Sequence, residues 1–165
     1  LKVVTPVRSG AFTMTPRIDY YSVSPQTLQA MRALQARVDA DCFDPVLYEL
    51  VKIRASQLNG CAYCLEMHTR EARAAGEAEA RLHLLAAWRE SPFYTERERA
   101  ALAWTEAVTL VATRGVSDDV YAEVSRWFNA REIVQLTLAI NTINSWNRLA
   151  VSFRMIHPVA QPVAV

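Results

Sequence analysis

The chain has 165 residues, 52% of them apolar and 21% charged, enough for one domain with its own core and incompatible with a disordered, collagenous or polyelectrolyte class. Lys and Arg total 18 against 17 Asp and Glu and form no basic stripe, so nucleic acid is not an expected partner. No apolar run approaches the about 18 residues of a membrane-spanning helix, and three cysteines, Cys42, Cys61 and Cys64, do not make a disulfide scaffold, which points to a soluble protein of the reducing cytoplasm.

Residues 1–13 read as an extension to the folded domain, which is expected over 14–157. Gly and Pro sit where they punctuate helices, and the expected fold class is all-α: a single-domain bundle of about seven helices. Ser24-Pro25 starts the first, with Leu28, Met31, Leu34 and Val38 at helical spacing as far as Ala40. Asp44-Pro45 starts the second, which Asn59-Gly60 stops just before Cys61. A third runs from Cys61 or Ala62 to Ala75, closed by Gly76, and a short fourth covers Ala78 to Trp88. Thr95 with Glu98 caps a fifth that reaches Arg114. Ser117 caps a sixth, with Val120, Val124, Trp127 and Phe128 inward. Asn129 with Glu132 caps a long seventh ending near Phe153, and Pro158 and Pro162 mark residues 158–165 as a tail or strap.

The chemistry lies at the start of the third helix, in C-A-Y-C-L-E-M-H. At 100° per residue Cys61, Cys64 and His68 fall within an arc of about 60°. One face thus carries two thiols and an imidazole, and Cys61 sits at the helix N-terminus, where unpaired N–H groups favour a thiolate. Such a pair suits reversible dithiol chemistry: a thiolate attacks a weak acceptor such as a peroxide O–O bond, becomes a sulfenic acid, and is captured by its neighbour as a disulfide. A structural zinc site would use the same residues but needs a fourth ligand, and Cys42, His83 and His157 have no motif spacing to them. Haem attachment requires histidine directly after the second cysteine, where the chain has Leu65. Cys42 reads as a core or inert thiol, His83 as surface, and Trp88, Trp104 and Trp127 as core or interface. Asn141, Asn144 and Arg148 share a face of the last helix and form a polar stripe that could line a pocket.

The run Glu49 to His68, E-L-V-K-I-R-A-S-Q-L-N-G-C-A-Y-C-L-E-M-H, resembles the AhpD-like alkylhydroperoxidases of the carboxymuconolactone decarboxylase superfamily. Their motif is a glutamate, eleven residues, C-x-x-C, three residues and a histidine, and Glu49, Cys61, Cys64 and His68 match every spacing. The resemblance implies a peroxide-reducing enzyme in which Cys64 attacks peroxide, Cys61 resolves it into a redox-active Cys61–Cys64 disulfide, and Glu49 and His68 relay protons. It also implies no bound cofactor, reduction by a protein or lipoyl-type dithiol, and a homo-oligomer, hexamer or trimer. Better-known members carry histidine just before the second cysteine, where this chain has Tyr63, a phenol able to donate a hydrogen bond to peroxide. From the helix terminus alone Cys61 is the expected nucleophile; the resemblance assigns that part to Cys64 and leaves Cys61 accessible for reduction. Two other readings remain, a thiol–disulfide partner or redox sensor and a zinc-stabilised helical module.

Overall fold

The computed structural model describes residues 14–157, and all of the regular elements among them are helical. The expected extension at 1–13 and tail at 158–165 lie outside the described residues. The segments are α1 (Tyr20–Val23), α2 (Pro25–Ala40), α3 (Pro45–Asn59), α4 (Ala62–Ala74), α5 (Glu79–Leu84), α6 (Glu96–Thr109), α7 (Val111–Arg114), α8 (Asp118–Trp127) and α9 (Ala130–Ser152).

Local signals account for most boundaries. Asp44 accepts from the Leu47 amide at 3.0 Å and Pro45 opens α3. Gly60 ends it in the left-handed conformation, φ +65°, which costs glycine nothing. Both capping boxes form, Thr95 with Glu98 on α6 and Asn129 with Glu132 on α9.

Three expectations need correction. The fourth expected helix stops at Leu84 and tightens into a 3₁₀ turn, Leu85–Ala87. Its buried residues, Leu82, Leu85 and Trp88, are spaced by three, a period the 3₁₀ geometry aligns on one side. The fifth ends at Thr109, and residues up to Arg114 form the separate turn α7; Val108, Thr109, Val111 and Thr113 crowd this stretch with β-branched side chains, and Val111 is exposed. Trp127 is 44% exposed rather than inward, while Val124 and Phe128 on the same helix are buried. The short α1 has no counterpart in the sequence reading, and Asp19 caps it by accepting from the Tyr21 amide.

Helix α3 is the axis of the bundle and packs against α4, α6 and α9. One face puts Leu47, Tyr48 and Val51 against α6, α8 and α9; another puts Leu50 and Ile53 against Leu85, Trp88 and Leu102. Leu50, Val51 and Ile53 are wholly buried, worth roughly 1.5–3 kcal/mol each relative to exposure. The last turn of α3 joins a third cluster in which Ala55, Cys61, Cys64, Ile143 and Ala150 meet. Rigid packing therefore extends to the two sulfurs.

At the far end of α9 the chain reverses with Met155 N–H donating to Ala150 O at 2.8 Å and Arg154 N–H to Val151 O at 3.3 Å. Arg154 takes φ +53°, and is the non-glycine residue at positive φ among the described residues. Glycine is usual at that point of such a turn, and a side chain there costs roughly 1–2 kcal/mol.

Candidate active site: a buried dithiol between two cavities

Cys61 is the N-cap residue of α4, fixed by the turn at Gly60 and by its own N–H donating to Ser56 O at 3.0 Å. Its Sγ accepts from the Cys64 backbone N–H at 3.4 Å and lies 2.8 Å from Cys64 Sγ. The cysteines are free thiols, at a separation that a bond of about 2.05 Å could close with little movement. Cys61 is 1% exposed and Cys64 2%. The expected exposure of Cys61 is therefore corrected: the start of α4 is tucked against α9, and both sulfurs are buried.

The two sulfurs differ in acidity. The Cys64 thiol hydrogen-bonded to it brings Cys61 down to about 7, against the opposing effect of burial. Cys64 is pushed up, first by that same hydrogen bond and then by burial. The pair gives up one proton near neutrality and holds the second tightly, with the charge resting on the helix-terminal sulfur. Asn147 adds to this from α9: its side-chain amide favours the thiolate at both sulfurs by hydrogen bonding. It is wholly buried, donates to Ser56 Oγ at 3.0 Å and accepts from Asn59 Nδ2 at 2.9 Å.

His68, one turn beyond Cys64, is buried, with Nδ1 3.1 Å from Glu49 Oε2 and 3.2 Å from Glu71 Oε2. Helices α3 and α4 thus bring together residues nineteen apart in sequence. Burial works to raise the Glu49 carboxyl, but His68 and Lys52 outweigh it and hold its pKa below the usual value. Lys52 Nζ forms a close ion pair with Glu49 Oε1. Among the described residues, the group of metal-type ligands drawn close together is Glu49, His68 and Glu71, without either cysteine; the Lys52 ammonium already occupies one of its carboxylates.

A cavity of about 270 Å³ opens onto Cys64 and His68. Its walls combine Tyr20, Tyr63, Met67, Ile143 and Trp146 with the cations Arg32 and Lys52. Arg32 lies over the Tyr21 ring, 4.7 Å from its centroid, and Trp146 Nε1 donates to Gln35 Oε1 at 3.1 Å. A second cavity of about 140 Å³ opens onto Cys61, between Gly60, Ala62, Val151, Arg154 and Met155. Tyr63 and Ala150 line both and form the partition. Burial raises the Tyr63 phenol, so it stays a hydrogen-bond donor.

The polar stripe on α9 is placed differently from expectation. Asn141 and Arg148 are exposed, and Arg148 donates to Asn144 O on its own helix. Asn144 is buried, accepts from Asn59 Nδ2 at 2.6 Å and donates to Thr109 Oγ1 at 3.1 Å. Neither Asn144 nor Arg148 lines either cavity. The site uses Asn147, one helical position from that stripe. Cys42 is half-buried, with burial pushing its thiol up, and His83 is exposed beside Glu79.

An all-helical bundle with a C-x-x-C pair capping one helix, backed by a carboxylate–imidazole pair, defines an AhpD-like protein. The chain belongs to the carboxymuconolactone decarboxylase family, whose pattern matches residues 25–107. It is 40% identical over 139 residues to the uncharacterised protein YdfG of Bacillus subtilis, spanning 84% of this chain and 95% of that one. A crystal structure from Agrobacterium tumefaciens, of a protein of unknown function provisionally described as the antioxidant defence protein AhpD, superposes with a TM-score of 0.87 at 44% identity, over 88% of this chain and all of that one. The apo debrominase Bmp8 shares the fold, with a TM-score of 0.76 at 20% identity over 84% of this chain and 74% of its own. No helix among the described residues is long and apolar enough to cross a membrane.

Proposed function

We propose that the protein reduces organic hydroperoxides with the Cys61–Cys64 dithiol and is returned to the dithiol state by a thiol reductant. The observation that carries this reading is the placement of Cys64 and His68 on one cavity, with Cys61 2.8 Å behind Cys64. A substrate in the larger cavity meets Cys64, so Cys64 attacks although the resting charge favours Cys61. Its proton has only to cross to the Cys61 sulfur.

Electrons and atoms balance in two steps. Cys64 sulfur attacks the terminal peroxide oxygen, the O–O bond breaks, and the alkoxide leaves as an alcohol once protonated; Cys64 becomes a sulfenic acid. Cys61 thiolate then attacks that sulfur, forming the disulfide and releasing water. Both carboxylates sit at His68 Nδ1, which leaves Nε2 to deliver and recover protons, while Glu49 orients the ring. Tyr63 O–H donates to the bound peroxide from the cavity wall. The cavity holds roughly nine times the 30 Å³ share of a water molecule, which together with its aromatic lining favours an organic hydroperoxide over hydrogen peroxide.

Exposed Trp127, Val134 and Leu138 support self-association as a homo-oligomer, read by sedimentation or light scattering. The enzyme reading is tested by consumption of cumene hydroperoxide with a dithiol reductant. Turnover that Cys64→Ser abolishes, and that leaves a trappable sulfenic acid in Cys61→Ser, supports it; equal turnover in Cys64→Ser overturns it. Reversible disulfide exchange without peroxide turnover favours the thiol–disulfide partner instead.

A further inference from the structure

The larger cavity carries a charge, on Arg32, that the chemistry at the sulfurs does not use. We propose that Arg32 selects the substrate, and that the preferred substrate is an apolar hydroperoxide with a carboxylate at the end remote from the peroxide. This rests on the hydroperoxidase reading for the reaction at the other end of that molecule.

The cavity is a gap between α2 and α4. Both helices pack on α9, which floors the gap with Ile143, Trp146 and Ala150. Helix α4 brings Cys64 and His68 to one side, and α2 brings Arg32, Gln35 and Asp39 to the other. Positions 32, 35 and 39 fall within an arc of about 60° round a helix, so α2 presents them as a single stripe. The wall from the sulfurs to that stripe is apolar and aromatic, built from Tyr20, Tyr63, Met67 and Trp146. A substrate with its peroxide at Cys64 therefore lays its carbon frame along this wall and ends at α2.

The charges decide what it meets there. Asp39 Oδ1 accepts from Gln35 Nε2 at 2.8 Å, and Gln35 Oε1 accepts from Trp146 Nε1 at 3.1 Å. Glu71 lies 3.2 Å from His68 Nδ1, and Lys52 is the ion-pair partner of Glu49. Each of these charged groups thus has a partner within the protein. Arg32 differs: among the described residues no carboxylate pairs with it. It is exposed, and its guanidinium rests on the Tyr21 ring, 4.7 Å from the centroid. That contact places the side chain and leaves its N–H edge free to take a carboxylate in a bidentate pair. Asp39 and Glu71 repel a carboxylate elsewhere in the cavity, while an uncharged hydroperoxide gains nothing from Arg32.

The test compares kcat/KM for cumene hydroperoxide and for the same molecule carrying a carboxylate para to the peroxide-bearing carbon. The parent protein should prefer the carboxylate about tenfold, and the preference should shrink as salt is raised. Arg32→Gln should bring the ratio of the two substrates to about one, through KM rather than kcat, and Arg32→Lys should keep part of the preference. A ratio taken within one variant cancels any general loss of folding or activity. Equal use of both peroxides by the parent, or a preference that survives Arg32→Gln, would overturn the assignment and leave the hydroperoxidase reading intact. The unreactive tertiary alcohol of the carboxylated compound separates binding from turnover: by calorimetry it should bind about tenfold more weakly to Arg32→Gln than to the parent. If neither peroxide is consumed and that weakening is still seen, the carboxylate site stands and the hydroperoxidase reading falls; equal binding to parent and variant overturns the site.

Discussion

Replacing Asn147 by leucine keeps the size of a wholly buried side chain and deletes its amide. Asn59 stays satisfied, because the same Nδ2 also reaches Ala55 O at 2.9 Å and Asn144 Oδ1 at 2.6 Å, whereas Ser56 Oγ loses its donor. The stability cost is about 1–3 kcal/mol, or about 2–4 °C in Tm per kcal/mol for a domain of this size. At the sulfurs the thiolate loses a neutral donor, and hydrogen bonds to charged groups are worth about 1.5–3 kcal/mol. Asn147 ranks behind the Cys64 thiol, burial and the Cys64 amide in setting Cys61, so the low end of that range applies, and at 1.36 kcal/mol per unit the Cys61 pKa should rise from about 7 by no more than about one. At neutral pH the thiolate fraction then falls up to about fivefold, and peroxide oxidation slows with it. The assay is the pH dependence of thiolate ultraviolet absorbance in a Cys42→Ser background, with thermal melting beside it. A lowered Tm with an unmoved thiolate inflection would refute the reasoning and leave Asn147 a packing residue.

On the proposed relay, Glu49→Gln and His68→Gln should each slow peroxide consumption on the order of 10²-fold, and the double variant little more than either if the two act as a unit; independent roles would multiply. Gly60→Ala places a Cβ at φ +65°, where there is space but strained backbone, and should cost about 1 kcal/mol, read by thermal melting. Glu106 is buried and ion-paired with Arg54 and Arg89; burial opposes its ionisation, but Trp88 and the two arginines outweigh this and lower its pKa. A carboxylate lowered in this way contributes stability that is full above the ordinary value of 4.5 and is lost as pH falls through the folded value. Glu106→Gln should therefore lower stability at neutral pH and narrow the gap between neutral and acidic pH, as denaturant titrations at both would show.

Features written in neighbouring residues were legible before the structure. Asp44-Pro45, Asn59-Gly60 and the two capping boxes act within one turn, so a single sequence reveals them. The shared face of Cys61, Cys64 and His68 follows from helical period alone, and all three are buried. Glu49 was reachable only through the family spacing, since its bond to His68 depends on how α3 packs on α4. Lys52 carried a local signal, three residues after Glu49 on the same helix. Most of the cavity carried none: Gln35 and Trp146 are 111 residues apart, and Tyr20 belongs to a single turn capped by Asp19. Asn147 went unnamed because it lies only about 60° round the helix from Asn144; both accept from Asn59 Nδ2, and only the packing of α9 on α3 decides which side chain reaches the sulfurs.

The central claim is that peroxide oxidises this pair of sulfurs and no other. One equivalent of cumene hydroperoxide added to the fully reduced protein, followed by blocking of free thiols and peptide mapping, should show loss of two thiols per chain, a link between Cys61 and Cys64 within one chain, and Cys42 still free. A bridge to Cys42, a stable sulfenic acid on Cys64 with Cys61 still reduced, or no loss of thiol would contradict it.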